Sequence, residues 1–407
     1  MENKGSSAFN LRKEGLMPQE EMLEVGSKHA SIKIGIPSED HQVESRVPLT
    51  PEAVEILTGY GHEVKIEAGA GKAANYLDTD YSERGGMICE NRQDVFRDSD
   101  VILKINPPTG EEIEWMKERQ ILLSSFQVFT HCKDDYIRAL MRKRVTAIAF
   151  EKIQDEHNCY PAVRSMSAIA GTTCMLIAAE YLSNQRGGKG VMLGGVTGIT
   201  PTEVVILGAG TVAEHAVRAA LGVGSEVKVF DHSVHRLRRL QTSVGHPIPT
   251  SIFHPKVILK ALRSADVVIG AIRKGEGQPE FFVTEEMVKE MKKGSVIIDI
   301  SIDRGGSIET SELRTQLDPV FVKHGVIHYC VPNIPSRVAR TASIAISNVF
   351  APLILGLSEW GATGKHLKEN VGLRKGVYIY NGILTSESIG QKLGIPSKDI
   401  DLLMAAF

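Results

Sequence analysis

The sequence predicts an α/β protein of two doubly wound parallel sheets, one unit inserted into the other, and three observations carry that expectation. Strand-like and helix-like stretches alternate from residue 31 onward. A run of four apolar residues meets a glycine-rich turn and a helix in VVILGAGTVA, residues 204–213. Finally, the segment from about Arg340 to the end is too short for a domain of its own and opens with a long apolar helix, so it returns to complete the first unit.

Taken in order, SIKIGI (31–36) reads as a first strand, and Thr50 reads as an N-cap with Pro51 at the first helical position. EVKIEA (63–68), VILKI (101–105), ILLSS (121–125) and VTAIAFE (145–151) follow as further strands. A helix rich in Ala, Ile, Met and Leu spans about Ser167 to Asn184 and leads into the glycine stretch RGGKGVMLGGVTG (186–198). The second sheet takes strands at 204–207, 226–230, 266–272, 295–300 and 326–330. The expected units are an N-terminal extension over 1–30, a discontinuous domain over 31–165 and 341–407, and an inserted domain over 166–340. In the extension, Glu20 to Val25 reads either as a short packed helix or as part of a frayed tail.

Composition narrows the function. A 42% hydrophobic and 24% charged chain with a formal net charge of −2 is ordinary for a soluble globular protein and gives no footprint for nucleic acid. The first thirty residues lack the apolar core of a signal peptide. Later apolar runs such as 344–357 are interrupted by Ser347, Asn348 and Pro352, so no membrane span is expected. Five cysteines without a CxxC pair, and histidines without ligand spacing, point to reduced thiols, a cytoplasmic setting and no metal.

The motif at 204–213 carries the chemistry. Gly208 allows a tight turn, Gly210 lets backbone approach a diphosphate, and the small Ala213 lets helix and strand pack closely. The next strand ends in Asp231, 23 positions after Gly208, where a carboxylate accepts ribose hydroxyls and favours NAD over its 2′-phosphorylated form. Strand, glycine turn, helix, strand and acid together predict a Rossmann unit with NAD as cofactor.

Several segments resemble the family of alanine dehydrogenase and the NAD-binding subunit of proton-pumping transhydrogenase: GIPSE (35–39), ESRVPLTP (44–51), GHEVKIEAGAG (61–71), the stretch 186–198, IDRGG (302–306) and YCVPNIP (329–335). The resemblance covers residues 31 to roughly 400 and implies two αβ domains, a homo-oligomer, a hexamer by analogy, and oxidative deamination of an L-amino acid to a 2-oxo acid and ammonia. It implies Arg46 as the substrate-carboxylate arginine, Asp303 as the active-site aspartate, and Ser167, Arg236 and Asn333 as cofactor contacts.

Two positions depart from the family pattern. The stretch LKINPP (103–108) keeps Lys104 but places Asn106 where the family has the lysine that donates to the substrate oxygen, a feature shared with the transhydrogenase branch. Counting forward from ILLSS puts Gln127 at the catalytic-histidine position, and an amide exchanges no proton near neutral pH. A two-residue insertion leaves His131 close by, either as the acid/base or as a solvated loop residue. An NAD-dependent L-amino acid dehydrogenase is therefore the leading expectation. A transhydrogenase-like NAD-binding subunit and an NAD-responsive binding protein without catalysis stay open as alternatives.

Overall fold

The computed structural model describes residues 31–126, 134–272, 280–359 and 367–406. The expectations on Glu20 to Val25, Gln127 and His131 lie outside them.

Fifteen strands form two sheets among the described residues. The first holds β1 (Lys33–Ile36), β2 (Glu63–Glu67), β3 (Met87–Cys89), β4 (Val101–Leu103), β5 (Ile121–Ser124), β6 (Thr146–Ala149), β14 (Val377–Tyr380) and β15 (Ile383–Leu384), in the order β15-β14-β6-β5-β4-β1-β2-β3. The second holds β7 (Glu203–Leu207), β8 (Glu226–Phe230), β9 (Thr250–Ser251), β10 (Val267–Gly270), β11 (Val296–Asp299), β12 (Val320–Lys323) and β13 (Val326–Tyr329), in the order β12-β13-β11-β10-β7-β8-β9. Strand direction is parallel except at one edge of each sheet, where β14 and β15, and β12, join antiparallel. The strand order reverses between β1 and β4 in one sheet and between β7 and β10 in the other, and crevices for ligands open beyond the strands' carboxyl ends at such points.

Both faces of each sheet are covered, so the central strands are apolar throughout and sort their side chains by alternation. Val204 and Ile206 enter one core of the second sheet, while Val205 and Leu207 enter the other. The first helix begins as its sequence directs: the Thr50 side chain caps the N–H of Ala53, and Pro51 occupies the first turn. The long helix starts earlier than expected, at Pro161 rather than near Ser167, because Pro161 already supplies a helical φ at the first position.

The same correction applies to the apolar lengths. Pro161–Leu182 and Ile334–Leu357 are long and apolar enough by composition to cross a membrane. Their contacts, however, are with the protein's own elements: the first packs on the helix Thr211–Gly222 and on β11, the second on the first helix and on Pro161–Leu182. Pro161–Leu182 also straddles both units, with Ala162 and Met166 in the core of the first sheet and Ala170 to Leu182 in that of the second.

Gly171 makes the closest of these contacts possible. A Cβ there would collide with the carbonyl oxygen of Val212, in the first turn of the helix Thr211–Gly222. Gly171→Val should therefore cost about 1–3 kcal/mol of stability by overpacking. Denaturant unfolding checks it, and a loss below about 0.5 kcal/mol, the usual size of a surface change, would mean the two helices are not held in register.

Candidate active site

The glycine turn sits at the reversal point of the second sheet. Gly208 has φ +109°, and a Cβ there would run into the carbonyl oxygen of Ala271 beyond β10. Gly208 thus serves the close approach of two neighbouring strand ends as much as the turn itself. The helix Thr211–Gly222 starts from Gly210, which has no side chain to cap the first-turn N–H groups, and nothing lies within 4 Å of where its Cβ would be. Ala213 is fully buried against the sheet. An open, uncapped helix N-terminus of this kind suits a diphosphate.

Asp231 follows β8 and is buried. One carboxylate oxygen accepts the N–H of Ala209 at 2.8 Å, and the other accepts the N–H of Ser233 at 2.8 Å. The acid therefore braces the glycine turn, and the His232 ring lies 3.4 Å from the oxygen that takes Ser233. These residues fit an adenine dinucleotide. Arg236 lies exposed on the first turn of the helix Val234–Val244, near Asp231 in sequence, while Ser167 is half-buried on the long helix.

A second group forms around the opening motif. Glu44 is fully buried, and Arg46 is 9% exposed. The guanidinium meets the Glu44 carboxylate with two parallel bonds, Nε to Oε1 at 2.7 Å and Nη2 to Oε2 at 2.6 Å, while Nη1 reaches Met166 Sδ at 3.2 Å. Asn333, held at φ +60°, donates its amide to the same Glu44 at 2.7 Å. Arg46 and Asn333 thus converge on one carboxylate, and Met166, the neighbour of Ser167, packs on the far side of the guanidinium. Burial alone would raise the Glu44 carboxyl, but the Arg46 charge and hydrogen bonds, with the Asn333 amide, outweigh it and hold it below the ordinary glutamate value.

Three buried hydroxyls fix this segment. Ser336, Ser343 and Ser347 accept the N–H groups of Ser45, Val47 and Thr50 at 2.8, 2.9 and 3.2 Å. Ser347, which breaks the apolar run in the sequence, satisfies a backbone donor that would otherwise be buried unpaired.

At the reversal point of the first sheet, Lys104 is buried after β4, with its ammonium 3.2 Å from Glu112 and 3.6 Å from Glu39. Asn106 is half-buried, two residues on. Asp303 lies exposed in the short helical turn Ile300–Arg304 after β11. Asp299 shapes that turn: its two oxygens accept from the backbone of Ser301, Ser307 and Ile308 and from the hydroxyls of Ser301, Ser307 and Ser311. Sequence reasoning missed Glu44, Glu39, Glu112 and Asp299. The first two stood inside quoted motifs, and Asp299 was legible as an acid ending an otherwise apolar strand.

Taken together, the two reversal points define a dehydrogenase-like α/β protein with a dinucleotide cradle on one sheet and a buried site of paired charges on the other. Comparisons with known proteins agree. The model described as "Alanine dehydrogenase/PNT, N-terminal domain" matches residues 35–170, and "Alanine dehydrogenase/PNT, C-terminal domain" matches 174–387. An alanine dehydrogenase of Methanococcus maripaludis is 38% identical over 364 residues, 89% of this chain and 97% of the relative. One of Bacillus subtilis is 38% identical over 362 residues, 89% of this chain and 94% of the relative. A solved L-alanine dehydrogenase superposes with a TM-score of 0.82 at 34% identity, covering 88% of this chain and 98% of its own. The chain belongs to the alanine dehydrogenase/PNT family. A transhydrogenase from Sinorhizobium meliloti, with a TM-score of 0.72 at 22% identity, shares the fold.

Removing one partner from a buried ion pair leaves the other charge stranded, so Glu44→Ala should destabilise the protein by about 3–5 kcal/mol. Because the folded Glu44 carboxyl lies below its ordinary value of 4.5, its stabilisation is complete above that pH and is lost as pH falls through the folded value. Denaturant unfolding of wild type and Glu44→Ala at neutral and acid pH checks both. A difference under about 1 kcal/mol at neutral pH, as for an exposed pair, would contradict the burial argument.

Proposed function

We propose that the chain is an NAD-dependent L-amino acid dehydrogenase that converts L-alanine, NAD and water to pyruvate, ammonia and NADH. The observation that carries this reading is the uncapped helix N-terminus at Gly210, beside the buried Asp231 at the end of the neighbouring strand β8, in a chain whose relatives of nearly equal length are alanine dehydrogenases.

When bound, the nicotinamide supplies the hydride acceptor. The chain's own residues do the rest. First-turn N–H groups after Gly210 hold the diphosphate, Asp231 accepts ribose hydroxyls, and Ser167, Arg236 and Asn333 line the cofactor path. Glu44 occupies the Nε edge of Arg46, so the outer Nη edge takes the substrate carboxylate. Lys104 and Asn106 contact the substrate oxygen, and Asp303 orients substrate against the ring. His131 carries the proton, and Gln127 is the residue that the sequence puts at the family's catalytic-histidine position.

The residues 31–165 with 341–407 form the substrate-binding part and 166–340 the cofactor-binding part, in a cytoplasmic homo-oligomer. The oligomer is supported by the two apolar helices, whose most apolar 18-residue windows are each only 44% buried within one chain, with Leu176 and Ile344 exposed. Light scattering should give a mass several times that of one chain, six by family resemblance. A monomer would overturn this part.

NADH absorbance should fall when pyruvate and ammonium are supplied, and a panel of other 2-oxo acids ranks the substrates. His131→Ala should keep NADH binding and lose turnover; full turnover would remove His131 from the mechanism. Asp231→Ser should weaken NADH binding by about 1.5–3 kcal/mol, the range for hydrogen bonds to a charged group, as measured by calorimetry. NADH binding with no turnover on any oxo acid would instead favour an NAD-responsive binding protein.

A further inference from the structure

Glu39 is the residue of the substrate-side sheet whose position the reaction above leaves unexplained. It follows β1, the Lys104–Asn106 stretch follows β4, and those two strands flank the reversal point. The Glu39 side chain is 4% exposed. One carboxylate oxygen accepts the N–H of Ile105 at 2.6 Å and that of Asn106 at 3.3 Å. The other faces the Lys104 ammonium at 3.6 Å.

We propose that Glu39 is a positioning residue for the substrate site: it clamps the Ile105–Asn106 backbone, thereby aiming the Asn106 amide at the substrate oxygen, and its ionisation couples oxo-acid affinity to pH. This proposal rests on the dehydrogenase reading for the role of Asn106. The clamp matters more with Asn at position 106 than with a lysine. A lysine reaches its acceptor on a flexible four-carbon stem, whereas the short amide must be placed by its own backbone.

The charged groups around Glu39 come from every neighbouring element. Glu44 and Arg46 lie on its own segment, as does His41, whose ring meets the Ser38 hydroxyl at 3.3 Å. Lys104 faces it from the end of β4, and Glu112 from the helix Gly110–Trp115 holds that lysine. Arg92, from the helix Arg92–Asp98, bridges Glu112 and Glu67 at the end of β2. Burial dominates and opposes charge on Glu39, Lys104 pulls the other way, and Glu44 adds repulsion. The two backbone N–H groups favour the charge, and the carboxyl ends pushed up to about 7.

The sign follows. As pH falls through that value Glu39 gains a proton, its grip on the two N–H groups weakens and the Lys104 pair is lost, so oxo-acid affinity falls. The folded protein also binds this proton more tightly than the unfolded chain does. This group's contribution to stability is therefore greatest at low pH and declines as pH rises from about 4.5 to about 7.

The test has two readouts on wild type, Glu39→Gln and Glu39→Asp. Calorimetry of pyruvate with NADH-saturated protein, one pH unit below and one above 7, should show roughly tenfold tighter binding at the higher pH in wild type, following the ionised fraction. Glu39→Gln should bind weakly with no pH dependence, and Glu39→Asp should keep a dependence with a moved midpoint. Hydrogen exchange over residues 104–109 in cofactor-free protein should be faster in Glu39→Gln than in wild type above pH 7, with the difference closing below it. Wild-type pyruvate binding that is flat with pH, or a Glu39→Gln protein matching wild type in both readouts, overturns the proposal. Failure of wild type to bind any oxo acid is a failure of the dehydrogenase reading and removes the substrate half of this one, while the exchange data still decide whether Glu39 clamps the turn.

Discussion

A carboxylate without water, Glu44, is the constraint on which the site depends. Its two oxygens take the guanidinium of Arg46 in parallel and the amide of Asn333 from a segment 289 residues further along. A buried charge pair with every near lone pair used is costly to break, so the arginine keeps one orientation before any ligand arrives. The hydroxyls of Ser336, Ser343 and Ser347 make the same junction at the backbone level, so that the opening motif and the returning C-terminal segment are placed as one piece.

That junction links two sheets that solve the same problem with different chemistry. In the second, the reversal point is kept open: Gly208 lets the chain beyond β7 lie close against that beyond β10, and Gly210 leaves helix N–H groups without a side-chain cap. In the first, the reversal point is filled with charge, with Glu39, Lys104 and Glu112 all buried. An open dipole end suits a phosphate group, and a rigid set of charged and amide groups suits a small carboxylate substrate. The long helix Pro161–Leu182 contributes to both cores and so ties their spacing together.

Much of this was legible in the sequence. The βαβ unit around Gly208, Gly210 and Asp231 announced itself because an apolar run, a glycine turn and a distant acid must coexist for that geometry. The Thr50–Pro51 helix start was legible for a similar reason, since both signals are local. The outer strands β3, β9, β12, β14 and β15 were not, being only two to four residues long, too short to show a period. The partners of Arg46 and Lys104 were hidden for the same cause. Glu44 lies two residues from Arg46 and Glu112 eight from Lys104, yet nothing in the spacing says that either carboxylate is buried rather than solvated. Nor did the stretch 101–106 reveal that Glu39, from the loop after β1, holds the backbone there.

The most direct test of the account is a structure of the ternary complex with NADH and a 2-oxo acid. The account predicts the diphosphate on the first-turn N–H groups after Gly210, and the acid's carboxylate on the outer Nη edge of Arg46 with Glu44 still on the Nε edge. An oxo acid bound away from Arg46, or an Arg46 that must abandon Glu44 to reach it, would contradict the claim that the buried pair presets the site.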